Sequence, residues 1–349
     1  MTLRSHILGC LLGTAVGDAA GLRCEGLSPR RARRLYGDTV QPTLLLGRGM
    51  CSDDTEHTVM VARALAQVCE DPDEFEAMFA RQLRPWLLTM PAGIGLATLR
   101  SCLKLLVGVP PSHSGVFSAG NGPAMRAALL GVCAKSEQEC RELVRRSTRV
   151  THTDPTAEEG AWVVAEAARL AVCGRGATPL EFVENIEGQL QGDELRRCLG
   201  GLCQSLKTGL TPAEFAQSQG WSRGVSGYVN HTVPAALYCW VATPNDFRQA
   251  VTSAVHLGGD ADSVAAITGA IAGANLGAEA IPREWIDRLG EWPRNVKWLE
   301  QLAEALSVKL SGAEANQLPS MHWPATAARN VLFAAVVLLL GFRRLFPPY

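Results

Sequence analysis

Two apolar stretches carry a small residue at every fourth position, and this spacing restricts the fold more than any other feature. In MTLRSHILGCLLGTAVGDAAG, residues 1–21, Gly9, Gly13, Gly17 and Gly21 line one face of a helix. In SVAAITGAIAGANLG, residues 263–277, Ala265, Gly269, Gly273 and Gly277 do the same. Each helical glycine costs about 1 kcal/mol relative to alanine, so a face built of them predicts another backbone pressed against it. We expect the two helices to pack near each other, which would carry Asp18 and Glu25 toward Asp260 and Asp262.

The N-terminal run imitates a secretory signal, with one arginine, an apolar stretch and small residues behind it. Almost nothing apolar precedes Cys10, so we read the run as a helix of the mature fold. Helical periodicity dominates elsewhere, over residues 58–68, 73–88, 123–132, 157–172, 233–241 and 247–255. Strand alternation is scarce. The expectation is an all-α fold with no parallel sheet.

Composition narrows the function classes. The chain has 349 residues, 47% of them hydrophobic, enough for a sizeable core. Lys and Arg number 33 against 34 Asp and Glu, so there is no basic excess of the kind nucleic-acid binding uses. The 11 cysteines form no CxxC pair, the closest being Cys198 and Cys203. That argues against a structural zinc site and for reduced thiols in a cytoplasmic protein.

Residues 1–310 read as one domain, 311–324 as a linker and 325–349 as a hydrophobic tail. The apolar run 331–342 would be roughly 18 Å long as a helix, against about 30 Å of hydrocarbon. Extending it back to Ala325 takes in Arg329 and Asn330. A marginal membrane anchor, an interfacial helix and a helix docked on the protein all stay open. Arg343 and Arg344 favour lying on a membrane over crossing it.

Two acidic motifs open apolar helices. In CSDDTEHT, residues 51–58, Ser52 fits an N-cap, and Asp53, Asp54 and Glu56 complement the helix dipole. In HLGGDADSV, residues 256–264, Asp260 or Asp262 could cap the helix that follows. Taken together the motifs suggest more than capping. Each pairs carboxylates with a neighbouring hydroxyl, the hard oxygen ligands that suit Mg²⁺, Mn²⁺ or Ca²⁺. Four converging carboxylates repel without a cation. Two divalent ions, typically about 3.5–4 Å apart, would neutralise them and polarise a substrate oxygen.

The chain resembles the ADP-ribosylglycohydrolases. The resemblance rests on GTAVGDAAGLRCE (residues 13–25), SDDTEHT (52–58), AGNGPAMR (119–126), THTDP (151–155), SGYVNHTV (226–233) and HLGGDADSVAAITGAIAGA (256–274). It covers about residues 4–280 and stops short of the tail. It implies a compact multi-helix bundle with a two-metal site holding Mg²⁺, with Mn²⁺ as the alternative ion. The implied ligands are Ser52, Asp53, Asp54, Asp260, Asp262 and Ser263; relatives often carry Thr where Ser52 and Ser263 stand.

By the same resemblance, Glu25 lies over the scissile ribose and handles the proton, although alone it would read as a solvated loop acid. Asn121 and Gly122, in a glycine-rich turn, could present backbone N–H groups to a diphosphate. His152 reads equally as a substrate contact or a structural histidine. Tyr228 could stack on adenine or simply pack. His57, His231 and His256 read as structural. One departure stands out: some relatives carry an acidic residue implicated in proton transfer where Gly93 stands.

The expected function is metal-dependent hydrolysis of the C1″ bond of ADP-ribosyl groups on a protein side chain or a small molecule containing ADP-ribose. The alternative is a non-catalytic binding or structural member of the same fold.

Overall fold

The computed structural model describes residues 1–68, 71–173, 178–313 and 317–347. Among them are 18 α-helices and three short 3-10 helices, and β pairing is confined to isolated bridges. The all-α expectation holds.

The first helix, Leu3–Gly21, starts at Thr2, whose hydroxyl accepts from the Ser5 N–H at 3.2 Å. It runs antiparallel to the Ala261–Leu276 helix in register. A Cβ on Gly9 would stand 2.0 Å from the Gly273 carbonyl oxygen, and one on Gly13 2.0 Å from that of Gly269. The same substitution would meet Ala265 at 2.1 Å from Gly17 and Ala261 at 2.3 Å from Gly21. No side chain fits at these distances, so the glycines are what lets the two backbones touch. The arrangement explains the fourfold spacing, and it refines one pairing: Gly21 meets Ala261, while Gly277 ends the helix at φ +82°. The most apolar window of the first helix is 94% buried, which makes it a core element.

The Asp53–Gln67, Pro155–Cys173, Val229–Ala242, Phe247–His256 and Val296–Leu310 helices surround this pair. The helix expected over 58–68 starts earlier, at the acidic motif. The one expected over 123–132 is split into a 3-10 turn, Ala124–Arg126, and a short helix, Ala128–Cys133. A Cβ on Gly131 would lie 1.8 Å from the Ala165 carbonyl oxygen, so a second close approach fixes that short helix.

The expected linker, 311–324, includes residues 314–316, which lie outside the described residues. The C-terminal helix begins within it and spans Trp323–Arg343. Thr326, Arg329, Asn330, Phe333 and Val336 face the protein and are buried. The Arg329 guanidinium donates to the Cys51 carbonyl and to Glu291. Asn330 Nδ2 donates to the Thr89 carbonyl at 3.2 Å and its hydroxyl at 3.0 Å. Phe333 packs with Leu22 and Met50 in a satellite core. A buried charge needs such partners, and Arg329 finds them only when the helix is docked.

Gly13→Ala should destabilise the fold by about 2 kcal/mol or more, because overpacking outweighs the gain of about 1 kcal/mol in helix propensity. Gly341→Ala, where a Cβ meets nothing within 4 Å, should be neutral or stabilising. Denaturant titration of both variants tests this; equal effects would refute the interlock.

Candidate active site

The second acidic motif is placed by two consecutive left-handed glycines. Gly258 and Gly259 have φ of +64° and +73°, a region costly for residues with a Cβ. The Gly259 N–H donates to the Leu27 carbonyl at 2.8 Å, and its own carbonyl accepts from the Gly26 N–H at 2.7 Å. The Asp260 N–H donates to Val225 O at 2.8 Å, and a Cβ on Gly259 would lie 2.0 Å from that oxygen. The turn is thus threaded between the loop carrying Glu25 and the loop carrying residues 224–227.

The first acidic motif is held by a residue of the first helix. Asp18 is fully buried, and its carboxylate accepts from the Ser52 N–H at 2.8 and 2.9 Å. It also accepts from the Thr55 N–H at 3.2 Å and the Thr55 hydroxyl at 2.5 Å. Two of those donors are orphan N–H groups at a helix start, so Asp18 fastens the Asp53–Gln67 helix to the glycine-faced helix. Ser52 caps that helix, its hydroxyl accepting from the Asp54 N–H at 3.3 Å.

The two helix starts meet at a cavity of about 550 Å³. Glu25, Asp53, Asp54, Asp260, Asp262 and Ser263 all line it. Ser52 does not line it and lies behind Asp54, donating to Asp54 Oδ2 at 2.9 Å. Ser263 donates to the same oxygen at 3.3 Å. Asp260 occupies the N-cap position but makes no capping bond; its Oδ2 accepts from Asn121 Nδ2 at 2.6 Å. Carboxylate oxygens of Asp18, Asp54 and Asp262 lie within 4.8 Å of one another, as do those of Glu25, Asp260 and Asp262. Asp262 belongs to both groups.

These carboxyls resist ionisation on their own. Burial pushes Asp18 up to about 6. Burial, then the charge of Asp18, pushes Asp53 up to about 8. Asp54 and Asp262 are driven well above the usual carboxylate range, first by burial and then by their acidic neighbours. Burial raises Asp260 as well. Glu25 rises to about 7, chiefly through burial and then through Asp260, with Arg344 pulling the other way. Asp54 Oδ1 and Asp262 Oδ1 are buried without a hydrogen-bond partner. Orphaned carboxylate oxygens in an oxygen-only cluster are the donor set a hard divalent cation takes, so the residues fit such an ion.

The remaining candidates divide between the cavity and the surface. Asn121, Gly122 and His152 line the cavity. The Asn121 N–H is already used, donating to Gly227 O at 3.0 Å, so that backbone group is not available to a diphosphate. Arg126 is buried and donates to Gly122 O at 2.9 Å, Ser147 O at 2.8 Å and the Thr151 hydroxyl at 2.8 Å. His152 Nδ1 lies 2.9 Å from that hydroxyl. In the tautomer where the Thr151 hydroxyl donates to Thr148 O at 3.4 Å, the ring donates from Nδ1 and Nε2 is an acceptor; in the other the hydroxyl donates to Nδ1 and Nε2 carries the proton. Burial and Arg126 lower the ring's pKa to about 3, keeping it neutral.

Tyr228 does not line the cavity; its hydroxyl donates to Glu194 at 2.6 Å, which holds it in a surface network. Gly93 lines the cavity at φ +84° with open space where a Cβ would be.

Sequence reasoning placed Asp18 near the acidic residues but gave it no part in the site. Its signal was an isolated acid in an apolar helix, beside Gly17. It also missed Arg344, whose guanidinium donates to Glu25 O at 2.7 Å and Arg23 O at 2.8 Å. Nothing local marks a residue more than 300 positions away as a partner of that loop.

A sequence profile described as ADP-ribosylglycohydrolase matches residues 1–316. The chain belongs to the ADP-ribosylglycohydrolase family. The family is one of glycosyl hydrolases, and the C-terminal helix lies outside the matched segment. A protein of Archaeoglobus fulgidus described only as uncharacterized is 35% identical, the match covering 85% of this chain and 94% of that protein. The ADP-ribosyl-[dinitrogen reductase] glycohydrolase of Rhodospirillum rubrum is 26% identical, with 82% and 91% covered. A solved structure of an ADP-ribosylglycohydrolase-related protein complex superposes with a TM-score of 0.67 at 30% identity, covering 88% of this chain and 99% of that one.

Unfolded carboxyls titrate near 4, and the folded, cation-free cluster titrates higher. The folded state therefore binds more protons, and this contribution to stability is lost as pH rises from about 4 to about 8. A cation competes with those protons, so stabilisation by saturating Mg²⁺ over EDTA should grow between about pH 5 and pH 8. Thermal midpoints in both buffers measure it; a gap that does not change with pH would contradict a protonated cluster.

Proposed function

We propose that this chain is a divalent-cation-dependent hydrolase that cleaves the C1″ glycosidic bond of ADP-ribosyl groups on a protein side chain. A small molecule containing ADP-ribose is the other substrate class that suits the cavity. The observation that carries the reading is the pair of carboxylate groups sharing Asp262 in one cavity, with Asp54 Oδ1 and Asp262 Oδ1 unpartnered.

Asp53, Asp54, Asp260, Asp262 and Ser263 would hold two cations, with Ser52 orienting Asp54. Mg²⁺ suits a donor set of oxygens alone, and Mn²⁺ is the alternative. Bound there, the ions would supply Lewis acidity toward ribose hydroxyls and water. Asp18 sits behind Asp54 and fixes the angle of the helix that presents it.

Glu25 is the proton carrier. Its carboxyl, pushed up to about 7, can exist in either protonation state near neutral pH. The ionised form takes a proton from the attacking water as the water oxygen bonds to C1″, and the same carboxyl passes that proton to the departing side-chain atom as its bond to C1″ breaks. The reaction passes through an oxocarbenium-like transition state. Gly93 leaves open space where some relatives carry an acid, so no second side chain at that position shares the proton. With Nδ1 protonated, His152 Nε2 accepts a hydroxyl or amino hydrogen of the ligand, and Asn121, tied to Asp260, sets the floor between metal site and ligand.

Release of free ADP-ribose from a panel of ADP-ribosylated proteins, with Mg²⁺, Mn²⁺ or EDTA, tests the reading. Release should require the cation and vanish in Asp260→Asn with Asp262→Asn. Glu25→Gln should lower kcat by roughly 10²–10⁴-fold while cation binding persists. No release from any substrate by cation-loaded protein would move the reading to a binding or structural role.

A further inference from the structure

The C-terminal helix has two faces of different character. Its inner face is fastened to the protein through Thr326, Arg329, Asn330 and Phe333. Its outer face is bare. Leu338 is 74% exposed, Leu339 69% and Phe342 62%. Residues 331–342, VLFAAVVLLLGF, contain no polar side chain, so neither edge of the exposed face is softened toward water. Monomeric proteins rarely leave such a contiguous patch uncovered.

We propose that this outer face seats the protein on an anionic lipid surface, with the helix lying in the membrane plane. Charge selects that occupant. Residues 317–347 contain no Asp or Glu, and the helix ends in Arg343 and Arg344. The guanidinium of Arg31 donates to Arg344 O and joins this end to the Pro29–Tyr36 helix, PRRARRLY, which also lacks acids. Arg30 and Arg343 are exposed. An apolar face bordered by arginines is the pattern of a helix buried shallowly among anionic headgroups. Leu46 adds a second exposed apolar side chain nearby: it is 95% exposed at a loop tip whose Leu44 and Leu45 pack on the Phe333 cluster.

The helix lies on the bilayer and does not cross it. Its uncharged run is roughly 18 Å, well under the ~30 Å of hydrocarbon, and crossing would strip Arg329 and Asn330 of their partners. A second copy fits less well. A twofold interface sets the same patch on both subunits, and this patch brings arginines with no carboxylate on the helix to pair them. The inference stands independently of the hydrolase reading.

The test is co-sedimentation of the full chain with phosphatidylcholine vesicles and with vesicles containing phosphatidylserine. The wild type should pellet with the anionic vesicles at least ten-fold more than with the neutral ones, and high salt should release it. Leu338→Glu with Leu339→Glu should cut pelleting at least ten-fold without lowering the thermal midpoint, since both side chains are exposed. Arg30→Glu with Arg343→Glu should weaken binding to anionic vesicles selectively. Wild-type protein left in the supernatant would overturn the proposal, as would a leucine double variant that pellets unchanged. A concentration-dependent dimer in light scattering, lost in that variant and without vesicle binding, would assign the face to a second copy.

Discussion

Backbone contact between the first helix and the Ala261–Leu276 helix sets the position of nearly everything in the site. With glycine from the first helix at all four contacts and facing glycine at two of them, the helices approach until carbonyls fill the space a Cβ would take. Their antiparallel register puts the C-terminal end of one against the N-terminal end of the other. Asp18 and Glu25 leave the first helix there, and Asp260 and Asp262 enter the second. A wider interhelical gap, as larger side chains would impose, would pull apart the carboxylate oxygens that now lie within 4.8 Å of one another.

From that junction the site is assembled by loops that borrow hydrogen bonds from one another. Gly258 and Gly259 let one turn pair with two neighbouring loops, so Glu25, Asp260 and residues 225–227 are tied into one unit. Asp18 does the same for the other motif by taking the Ser52 and Thr55 donors. The outcome is a crowded acidic cluster at two helix N-termini. Dipoles at those ends favour negative charge, but burial and mutual repulsion outweigh them, which is why the carboxyls sit so high without a cation.

The C-terminal helix adds a part outside the family's matched segment. Arg329 holds Cys51, just ahead of the first acidic motif, and Arg344 holds Glu25. The C-terminal segment therefore touches two of the three segments that present acidic groups, the Glu25 loop and the first acidic motif, while its outer face remains apolar. A change in how that helix is seated would reach the site through backbone carbonyls.

The sequence by itself determined the helical class, the close packing of two glycine-faced helices and the two acidic motifs, because spacing along a helix and turn chemistry are local properties. Resemblance added the family and with it the expectation that Glu25 handles a proton. The sequence could not decide whether Asp260 caps a helix or faces a cavity, nor that Tyr228 turns to Glu194. It could not show that Asp18 anchors the motif 34 residues later, or that arginines in the tail brace the loops. Those outcomes depend on which polar group finds a partner once water is excluded, and only the three-dimensional packing fixes that competition.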